Sequence, residues 1–394
     1  MYKAAPSIST FNPPARTLMG PGPSDVSPRV LAALARPTIG HLDPAFTAMM
    51  EELKTLLRYA FQTENALTFP VSGPGSVGME TCFVNLIEPG DKVIVCRNGV
   101  FGGRMKENVE RCGATAIMIE DTWGRAVDIA KVEQALKDNP GVKAVAFVHA
   151  ETSTGAQSDA AAICKLAHAH GALTIVDAVT SLGGSPLKVD EWEIDAIYSG
   201  SQKCLSCVPG LSPVSFNERA LSVVKNRKSK VQSWFMDLNL VLGYWNQQAR
   251  TYHHTAPINA LYALHEALLL LQEEGLEQSW QRHRNNHLSL RAGIEALGLN
   301  FVVPEKERLP QLNAISIPAG VVDAEVRGRL LKDYGLEIGA GLGEMAGKIW
   351  RIGLMGYASS PRNILFCLAA LESVLQSMNA EINTGVAQKA AQAA

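Results

Sequence analysis

The chain has 394 residues, of which 47% are hydrophobic and 19% charged, and its formal net charge is −2. This length and composition supply a large core and predict two or three domains. A nearly neutral chain is not typical of proteins that bind nucleic acids or anionic membrane surfaces. The seven cysteines lack the spacing of a disulfide framework. That pattern favours a reducing compartment, and we expect a cytoplasmic protein.

The first 60 residues predict an arm, a turn-rich segment and a helix. Residues 1–15 predict an irregular N-terminal arm, and the sequence GPGPS at 20–24 cannot be helical. Asp43 and Pro44 predict a helix start, as cap and first-turn proline. The helix that follows has apolar residues at helical spacing and is expected to bury one face.

A repeated order of strand, polar loop and helix organises the chain from about residue 66 to residue 203. Apolar segments that predict strands lie at 66–71, 93–95, 144–149, 173–177 and 194–198. This alternation predicts an α/β domain with a mostly parallel sheet. Ligands bind such sheets at the carboxyl ends of the strands, where the polar loops lie.

The C-terminal part predicts a smaller α+β domain. An amphipathic helix begins at Ile258 and ends at Gly275, and a second helix runs to about Gly298. Short strands and helices follow in a different order. We therefore predict a large domain at 16–275 and a small C-terminal domain at 276–394, whose residues 383–394 form a loose tail.

Lys203 is the residue that we place at the centre of the chemistry. It follows the predicted strand at 194–198, and no other cation lies between Asp195 and Arg219. A lone ammonium among small residues is partly desolvated, which favours the neutral amine that attacks carbonyls. We interpret Lys203 as a Schiff-base lysine for pyridoxal phosphate (PLP). An ordinary surface lysine is the alternative.

Two further segments supply what a PLP site needs. Asp177 ends an apolar strand, where an unpaired carboxylate is costly. A pyridinium nitrogen would give it a partner, and a helix-capping role is the alternative. The loop at 72–78 suits a phosphate, because Gly73 and Gly75 let backbone N–H groups approach and Ser76 adds a hydroxyl.

The same loop also permits a function of a different class. Gly73, Gly75 and Gly78 match the dinucleotide fingerprint G-x-G-x-x-G, which is typical of an NADP-dependent oxidoreductase. Against this, Pro74 removes one N–H from the loop. The next strand is also followed by Arg97 rather than by an acid for the ribose.

Three other features have competing interpretations. Arg351 lies among apolar residues and demands an anion, either a substrate carboxylate or a structural partner. His283 and His287 have helical spacing but no general-base glutamate between them, and we expect no metal site. Cys204 and Cys207 form an isolated C-x-x-C pair, which we interpret as structural thiols.

These segments together resemble the class V, fold-type I PLP aminotransferases, specifically the alanine–glyoxylate/serine–glyoxylate (serine–pyruvate) aminotransferase family. The resemblance covers about Arg16 to Leu375. The matching segments are GPGPS at 20–24, SGPGS at 72–76, NGVFG at 98–102, ETSTG at 151–155, VDAVTSLGG at 176–184, YSGSQK at 198–203, YHHTAP at 252–257 and GLGEMAGKIWRIGLMG at 341–356.

The resemblance implies a role for each site residue. Lys203 would be the catalytic Schiff-base lysine, and Asp177 would hold the pyridine nitrogen. Arg351 would bind the substrate carboxylate. The other implied contacts are Gly75, Ser76 and Gln202 at the phosphate, Thr152 at the ring hydroxyl, Val179 and Phe101 on the two ring faces, and Tyr252, Thr255 and Gly40 from the second subunit of a homodimer.

The implied function is transfer of an amino group from alanine or serine to glyoxylate, giving glycine and pyruvate or hydroxypyruvate. A ureidoglycine–glyoxylate transaminase is an alternative, although His41 beside Gly40 resembles the alanine/serine branch. Cysteine desulfuration on the same fold is a second alternative function. Cys204 and Cys207 lie too close to Lys203 in the sequence for the mobile cysteine that this reaction needs.

Overall fold

A computed structural model describes residues 6–245 and 250–394, so residues 1–5 of the predicted arm lie outside the described residues. The strands are β1 (Thr17–Leu18), β2 (Leu67–Ser72), β3 (Lys92–Arg97), β4 (Thr115–Glu120), β5 (Ala144–Val148), β6 (Ala150–Glu151), β7 (Ala156–Gln157), β8 (Leu173–Asp177), β9 (Ala196–Tyr198), β10 (Leu211–Phe216), β11 (Leu312–Ser316), β12 (Leu336–Glu337), β13 (Gly339–Ala340) and β14 (Ile349–Gly353).

Helices precede, connect and follow these strands. They are α1 (Pro28–Leu34), α2 (Pro44–Phe61), α3 (Gly75–Leu86), α4 (Val100–Arg111), α5 (Ile129–Asp138), α6 (Ala160–Ala169), α7 (Glu218–Lys225), α8 (Leu238–Tyr244), α9 (Ile258–Glu274), α10 (Leu276–Ala296), α11 (Asp323–Tyr334), α12 (Pro361–Ser377) and α13 (Ala387–Ala393). The Asp43 carboxylate accepts the N–H of Ala45 and caps α2, as the sequence predicts.

A seven-stranded sheet with the order β2-β10-β9-β8-β5-β3-β4 positions the predicted site. The pairs β3/β4, β3/β5, β5/β8 and β8/β9 are parallel, and β10 runs antiparallel to both β2 and β9. The α/β fold with a mostly parallel sheet is therefore confirmed. In the β8/β9 pair Asp177 lies opposite Tyr198, so the aspartate and the lysine segment leave the sheet at the same edge.

The two largest apolar clusters divide the chain unevenly. The first extends from Val30 to Leu276 and surrounds the large sheet. The second is built around a small antiparallel sheet of β11, β14 and β13. It contains Leu290 and later residues, but also Met19. The division of the chain at 275/276 stays a prediction.

The segment just after the arm associates with the C-terminal part of the chain rather than with the large sheet. Thr17 pairs in parallel with Leu336, and Leu18 pairs with Glu337. The Met19 N–H donates to the carbonyl of Glu337, and Met19 O accepts the N–H of Gly353. This contact between distant segments has no signal in the local sequence pattern.

The C-terminal segment, expected to be a loose tail, instead contains a packed helix. Ala387 and Ala391 of α13 are buried in the second apolar cluster. The Ser289 hydroxyl of α10 donates to the Ala391 carbonyl at 2.7 Å. The expectation was wrong because small alanine side chains let α13 approach α10 closely. Within the described residues, no helix is both long and apolar enough to cross a membrane.

Candidate active site

The Lys203 side chain lies in the turn that follows β9 and is partly buried. Burial, together with the positive charge of Arg351, lowers the pKa of the Lys203 amine to about 8. The negative charge of Asp177 opposes this shift only weakly. A larger fraction of the amine is therefore neutral at pH 7–8 than for an exposed lysine, as a nucleophilic amine requires.

The carboxylate of Asp177 is buried at the end of β8 and held by two donors. The N–H of Val179 donates to Oδ1 at 2.8 Å, and the Tyr198 hydroxyl donates to Oδ2 at 2.8 Å. Burial raises the pKa of Asp177 to about 6, whereas these hydrogen bonds and the charge of Lys203 lower it. A cationic ring nitrogen would stabilise the ionised carboxylate further. The contact with Tyr198 was not predicted.

The loop between β2 and α3 presents an uncapped helix start. Gly75 and Ser76 are the first residues of α3, and no side chain caps its N-terminus. A Cβ on Gly75 would lie 3.2 Å from Val179 and 3.6 Å from the carbonyl oxygen of Ser199. The loop therefore lies against the segments that carry Asp177 and Lys203. Free N–H groups at a helix start bind phosphate.

Gln202, Val179 and Thr152 lie around the same site. The Gln202 Oε1 atom is buried without a hydrogen-bond partner, so this amide retains bonding capacity. A Cβ on Gly200 would lie 3.0 Å from Gln202 Oε1 and 3.4 Å from Val179. The buried Thr152 hydroxyl shares a short hydrogen bond with Thr180, which was not predicted.

Arg351 is buried on β14 without an acidic partner. Its Nε–H donates to Ala340 O at 2.7 Å, and its Nη1 donates to Thr152 O at 3.0 Å. No ion pair involves Arg351 within the described part of the chain, and its Nη2 group remains available. Burial lowers the pKa of the guanidinium to about 10, and the negative charge of Glu151 opposes this shift. A buried cation paired only with carbonyls can bind a carboxylate.

Glu151 is a buried acid that the sequence reasoning missed. Its Oε1 accepts the N–H and the hydroxyl of Ser153 at 3.0 and 2.6 Å, and its Oε2 has no partner among the described residues. Burial, aided by the charge of Asp177, raises the pKa of Glu151 to about 7, while the hydrogen bonds from Ser153 lower it. The Ser153 hydroxyl also accepts the N–H of Val100 at 3.0 Å, so Glu151 supports the start of α4, which carries Phe101, through Ser153. Its strand-end position was the available signal.

Phe101 itself is partly exposed at the start of α4. The guanidinium of Arg104, one turn later, lies 4.8 Å from the centre of the Phe101 ring. The charge of Arg104 also lowers the pKa of Asp177, so this end of α4 faces the site. An aromatic ring there can stack on a flat ligand.

Gly40, Tyr252 and Thr255, which the resemblance assigns to the second subunit, lie on the surface of the chain. Gly40 and Thr255 are exposed, and Tyr252 is 65% exposed. The ring of His41 lies 5.3 Å from that of Tyr252, so these segments meet on one face. The Nε2 atom of His41 is buried without a partner among the described residues.

The other polar clusters of the sequence have structural partners. Burial raises the pKa of both the Cys204 and the Cys207 thiols to about 12, so neither is a ready nucleophile. His283 contacts Ser279 O and accepts the N–H of Gly356, and His287 contacts Asn313. A cleft of about 390 Å³ is lined in part by Cys204 and Arg282, but not by Lys203.

The residues at the sheet edge fit the groups of PLP. The uncapped start of α3 matches its phosphate, and buried Asp177 matches its basic ring nitrogen. The Lys203 amine matches its aldehyde. Since the glycine loop lies against the lysine segment, it is part of this same site rather than of a separate dinucleotide fold.

Comparison with known proteins identifies the class. The profile of the aminotransferase class-V family matches residues 26–358, and the chain belongs to this family. The family is PLP-dependent and has the fold-type I architecture, so the resemblance and the fold class predicted from the sequence are confirmed. The protein is an aminotransferase.

Individual relatives are similar over nearly the whole chain. The (S)-ureidoglycine–glyoxylate transaminase of Bacillus subtilis is 41% identical over 96% of this chain and 95% of that protein. The alanine–glyoxylate aminotransferase of Rattus norvegicus is 40% identical over 92% of this chain and 88% of that protein.

Solved structures give the same pair of names. The ureidoglycine–glyoxylate aminotransferase of Bacillus subtilis has a TM-score of 0.95 at 42% identity, covering 98% of this chain and 99% of that one. An alanine–glyoxylate aminotransferase of Nostoc sp. has a TM-score of 0.92 at 45% identity, covering 94% and 97%.

Proposed function

We propose that this protein transfers the amino group of a small L-amino acid, alanine or serine, to glyoxylate, with PLP held on Lys203. One observation carries the proposal. The charges of both the Arg351 guanidinium and the buried Asp177 carboxylate act on the nucleophilic amine of Lys203, so the three groups lie near one another. In this combination the amine can bind an aldehyde, the carboxylate can bind a basic ring nitrogen, and the guanidinium can bind a substrate carboxylate.

Bound PLP would supply an electron sink that stabilises negative charge at the substrate Cα. Gly75, Ser76 and Gln202 would hold the phosphate, Thr152 would bind the ring hydroxyl, and Val179 and Phe101 would pack against the ring. Asp177 would keep the ring nitrogen protonated. These assignments rest on the resemblance and on the placement of the residues around Lys203.

Lys203 moves the proton in this reaction. With its nitrogen free, the neutral amine of Lys203 would accept the proton of the substrate Cα as a base and would then return a proton as an acid. Arg351 fixes the substrate by its carboxylate, which aims Cα at the amine. Glyoxylate would accept the amino group in the same site, with Arg351 binding its carboxylate and Lys203 again moving the proton.

Glyoxylate is the common acceptor in the names of the similar proteins, whereas the donor differs between them. The rat and Nostoc relatives support alanine. The Bacillus subtilis relative, at 41% identity, makes (S)-ureidoglycine the second candidate donor. Serine, with pyruvate as a possible acceptor, follows from the resemblance alone.

The active unit in this proposal is a cytoplasmic homodimer. Tyr252, Thr255 and Gly40 lie on an exposed face, where a second chain would bring them to its neighbour's phosphate. The unpartnered Nε2 of His41 on that face supports a further contact. All seven cysteines are free thiols, which suits a reducing compartment.

The test is a donor panel with glyoxylate as acceptor. Purified protein is incubated with L-alanine, L-serine or (S)-ureidoglycine, and glycine and the new oxo acid are quantified. We expect alanine or serine to give the highest kcat/KM, and Lys203→Ala to abolish both turnover and the borohydride-reducible cofactor bond. A preference for ureidoglycine would select the second candidate. Transamination by Lys203→Ala would reject the mechanism.

A further inference from the structure

A short segment of the N-terminal region, the strap (residues 19–24), links the second apolar core to the lysine turn. At one end Met19 O accepts the N–H of Gly353 at 2.7 Å, two residues after Arg351 on β14. At the other end the Ser24 N–H donates to Gln202 O at 2.9 Å, and its hydroxyl donates to Lys203 O at 2.8 Å. The strap is therefore fixed on both sides of the site.

The middle of the strap contacts the Lys203 amine. Nζ donates a short hydrogen bond to the carbonyl oxygen of Pro21. The next residue, Gly22, has a φ of 110°, and a Cβ there would overlap Nζ and the last methylene groups of Lys203. A residue with a side chain would push the amine away from the carbonyl. Glycine is thus required by both the backbone and the contact.

We propose that the Pro21 carbonyl orients the Lys203 amine for proton transfer whenever this nitrogen is not bonded to the cofactor. Pro21 acts through Lys203, so it is a positioning residue, and Gly22 and Ser24 maintain its approach. The inference rests on the proposed transaminase function and deepens it.

The physical argument concerns the lone pair of the amine. A neutral amine has two N–H bonds and one lone pair, and the lysine side chain is flexible. A hydrogen bond from one N–H to a fixed carbonyl limits the directions in which the lone pair points. Because the acceptor is uncharged, it stabilises the ammonium less than a carboxylate would, and the amine can still lose its proton near neutral pH.

The first experiment compares Gly22→Ala with Gly20→Ala in the cofactor-loaded enzyme. The strap supplies this control, since a Cβ on Gly20 would have no neighbour nearer than 3.7 Å. For Gly22→Ala we expect kcat to fall about tenfold, with KM for the donor nearly unchanged. The isotope effect with donor deuterated at Cα should rise, because proton transfer becomes slower. Gly20→Ala should have the same kcat, the same KM for the donor and the same isotope effect as the wild type.

The second experiment measures the protonation of the Lys203 amine directly and does not depend on catalytic turnover. The pH dependence of Lys203 acylation is measured by peptide mass on full-length protein stripped of cofactor. Loss of the Pro21 acceptor should lower the midpoint of this curve by about one pH unit. Ser24→Ala, which removes side-chain bonds of the strap without backbone strain, should shift the midpoint in the same direction. If Gly22→Ala does not fold, the acylation midpoint of Ser24→Ala tests the contact between Pro21 and Lys203.

Two outcomes overturn the inference. One is an unchanged acylation midpoint in every folded variant of Gly22 and Ser24. The other is a rise in donor KM at constant kcat, which would make the strap a support for the Arg351 strand alone. Absence of transaminase activity in the wild type would reject the proposed function, whereas the acylation curves would still test the contact between Pro21 and Lys203.

Discussion

At the scale of single residues, the strand ends were readable from the sequence and their partners were not. Asp177 and Lys203 could be singled out because the first ends a buried apolar strand and the second follows the next strand, and their roles toward a cofactor stay predictions. Tyr198 could not be assigned to Asp177, because that bond depends on the β8/β9 register. Glu151 was overlooked for a similar reason. The segment just before α4 covers its side chain, since a Cβ on Gly99 would overlap it, and this contact does not follow from the sequence around Glu151.

Arg351→Lys is expected to weaken donor binding more than cofactor binding. Lysine keeps the positive charge but loses the paired donors that match a carboxylate. We expect KM for alanine or serine to rise about tenfold or more, with little change in the visible absorbance of bound PLP. Steady-state kinetics and a cofactor titration measure the two effects. Equal KM values for variant and wild type would remove Arg351 from the substrate site.

Glu151→Gln is expected to change how stability depends on pH. Folding raises the pKa of Glu151 to about 7, so the folded state holds its proton more tightly than the unfolded state. Wild-type stability should therefore fall as pH rises from about 4.5 to about 7, and glutamine removes this loss. Thermal unfolding at pH 5 and pH 8 should show a gain for the variant only at pH 8, on the order of 1–3 kcal/mol.

The exposed residue Glu80 on α3 provides a matched control. Glu80→Gln makes the same chemical change without burial. It should leave the pH dependence of unfolding as in the wild type. A variant of Glu151 that is no more stable than wild type at pH 8 would contradict the burial argument.

At the scale of elements, long amphipathic helices and buried parallel strands were predictable, and elements defined by tertiary contacts were not. α9 and β8 occupy the predicted ranges because propensity and pattern agree. β10 was not predicted, although all its residues are buried. Its antiparallel position between β2 and β9 depends on the order of the strands in the sheet, which the local sequence does not determine. α13 was missed because alanine and glutamine give no apolar period.

Ala387→Asp tests whether α13 contributes to stability. The substitution places a charged side chain between α13 and α10. The two helices are close at this point, since a Cβ on Gly293 of α10 would lie 3.1 Å from the carbonyl oxygen of Ala387. We expect the free energy of unfolding to fall by about 1–3 kcal/mol. Gln392→Asp, at an exposed position of the same helix, is the control. Denaturant unfolding compares them, and equal midpoints would mean that α13 adds nothing to the core.

At the scale of the whole molecule, the exposed face with Tyr252 and Thr255 decides whether one chain is a complete enzyme. Trp234 is 61% exposed beside this face and stacks on His253 at 4.5 Å between ring centres. An exposed aromatic group next to residues assigned to the cofactor favours an interface. The sequence suggested this arrangement only through resemblance, because no local pattern distinguishes a residue that serves a second chain.

Mixed dimers provide the test. Lys203→Ala and the double variant Tyr252→Ala/Thr255→Ala are each expected to be nearly inactive. In a mixed dimer, one site combines Lys203 of one chain with Tyr252 and Thr255 of the other and is intact. Random mixing should then restore about a quarter of wild-type activity. No recovery, with mixed dimers shown by mass spectrometry, would place the whole site within one chain.

The pairing of Thr17 with Leu336 has a consequence for how the protein is made. Thr17 is synthesised long before its partner Leu336, so β1 must wait on the order of tens of seconds for this pairing. The first apolar core can form during that interval, but the strap has no anchor at Gly353 until that residue has been synthesised. Fusions that hold residues 17–24 away from the body of the protein should therefore impair the last step of maturation rather than the first.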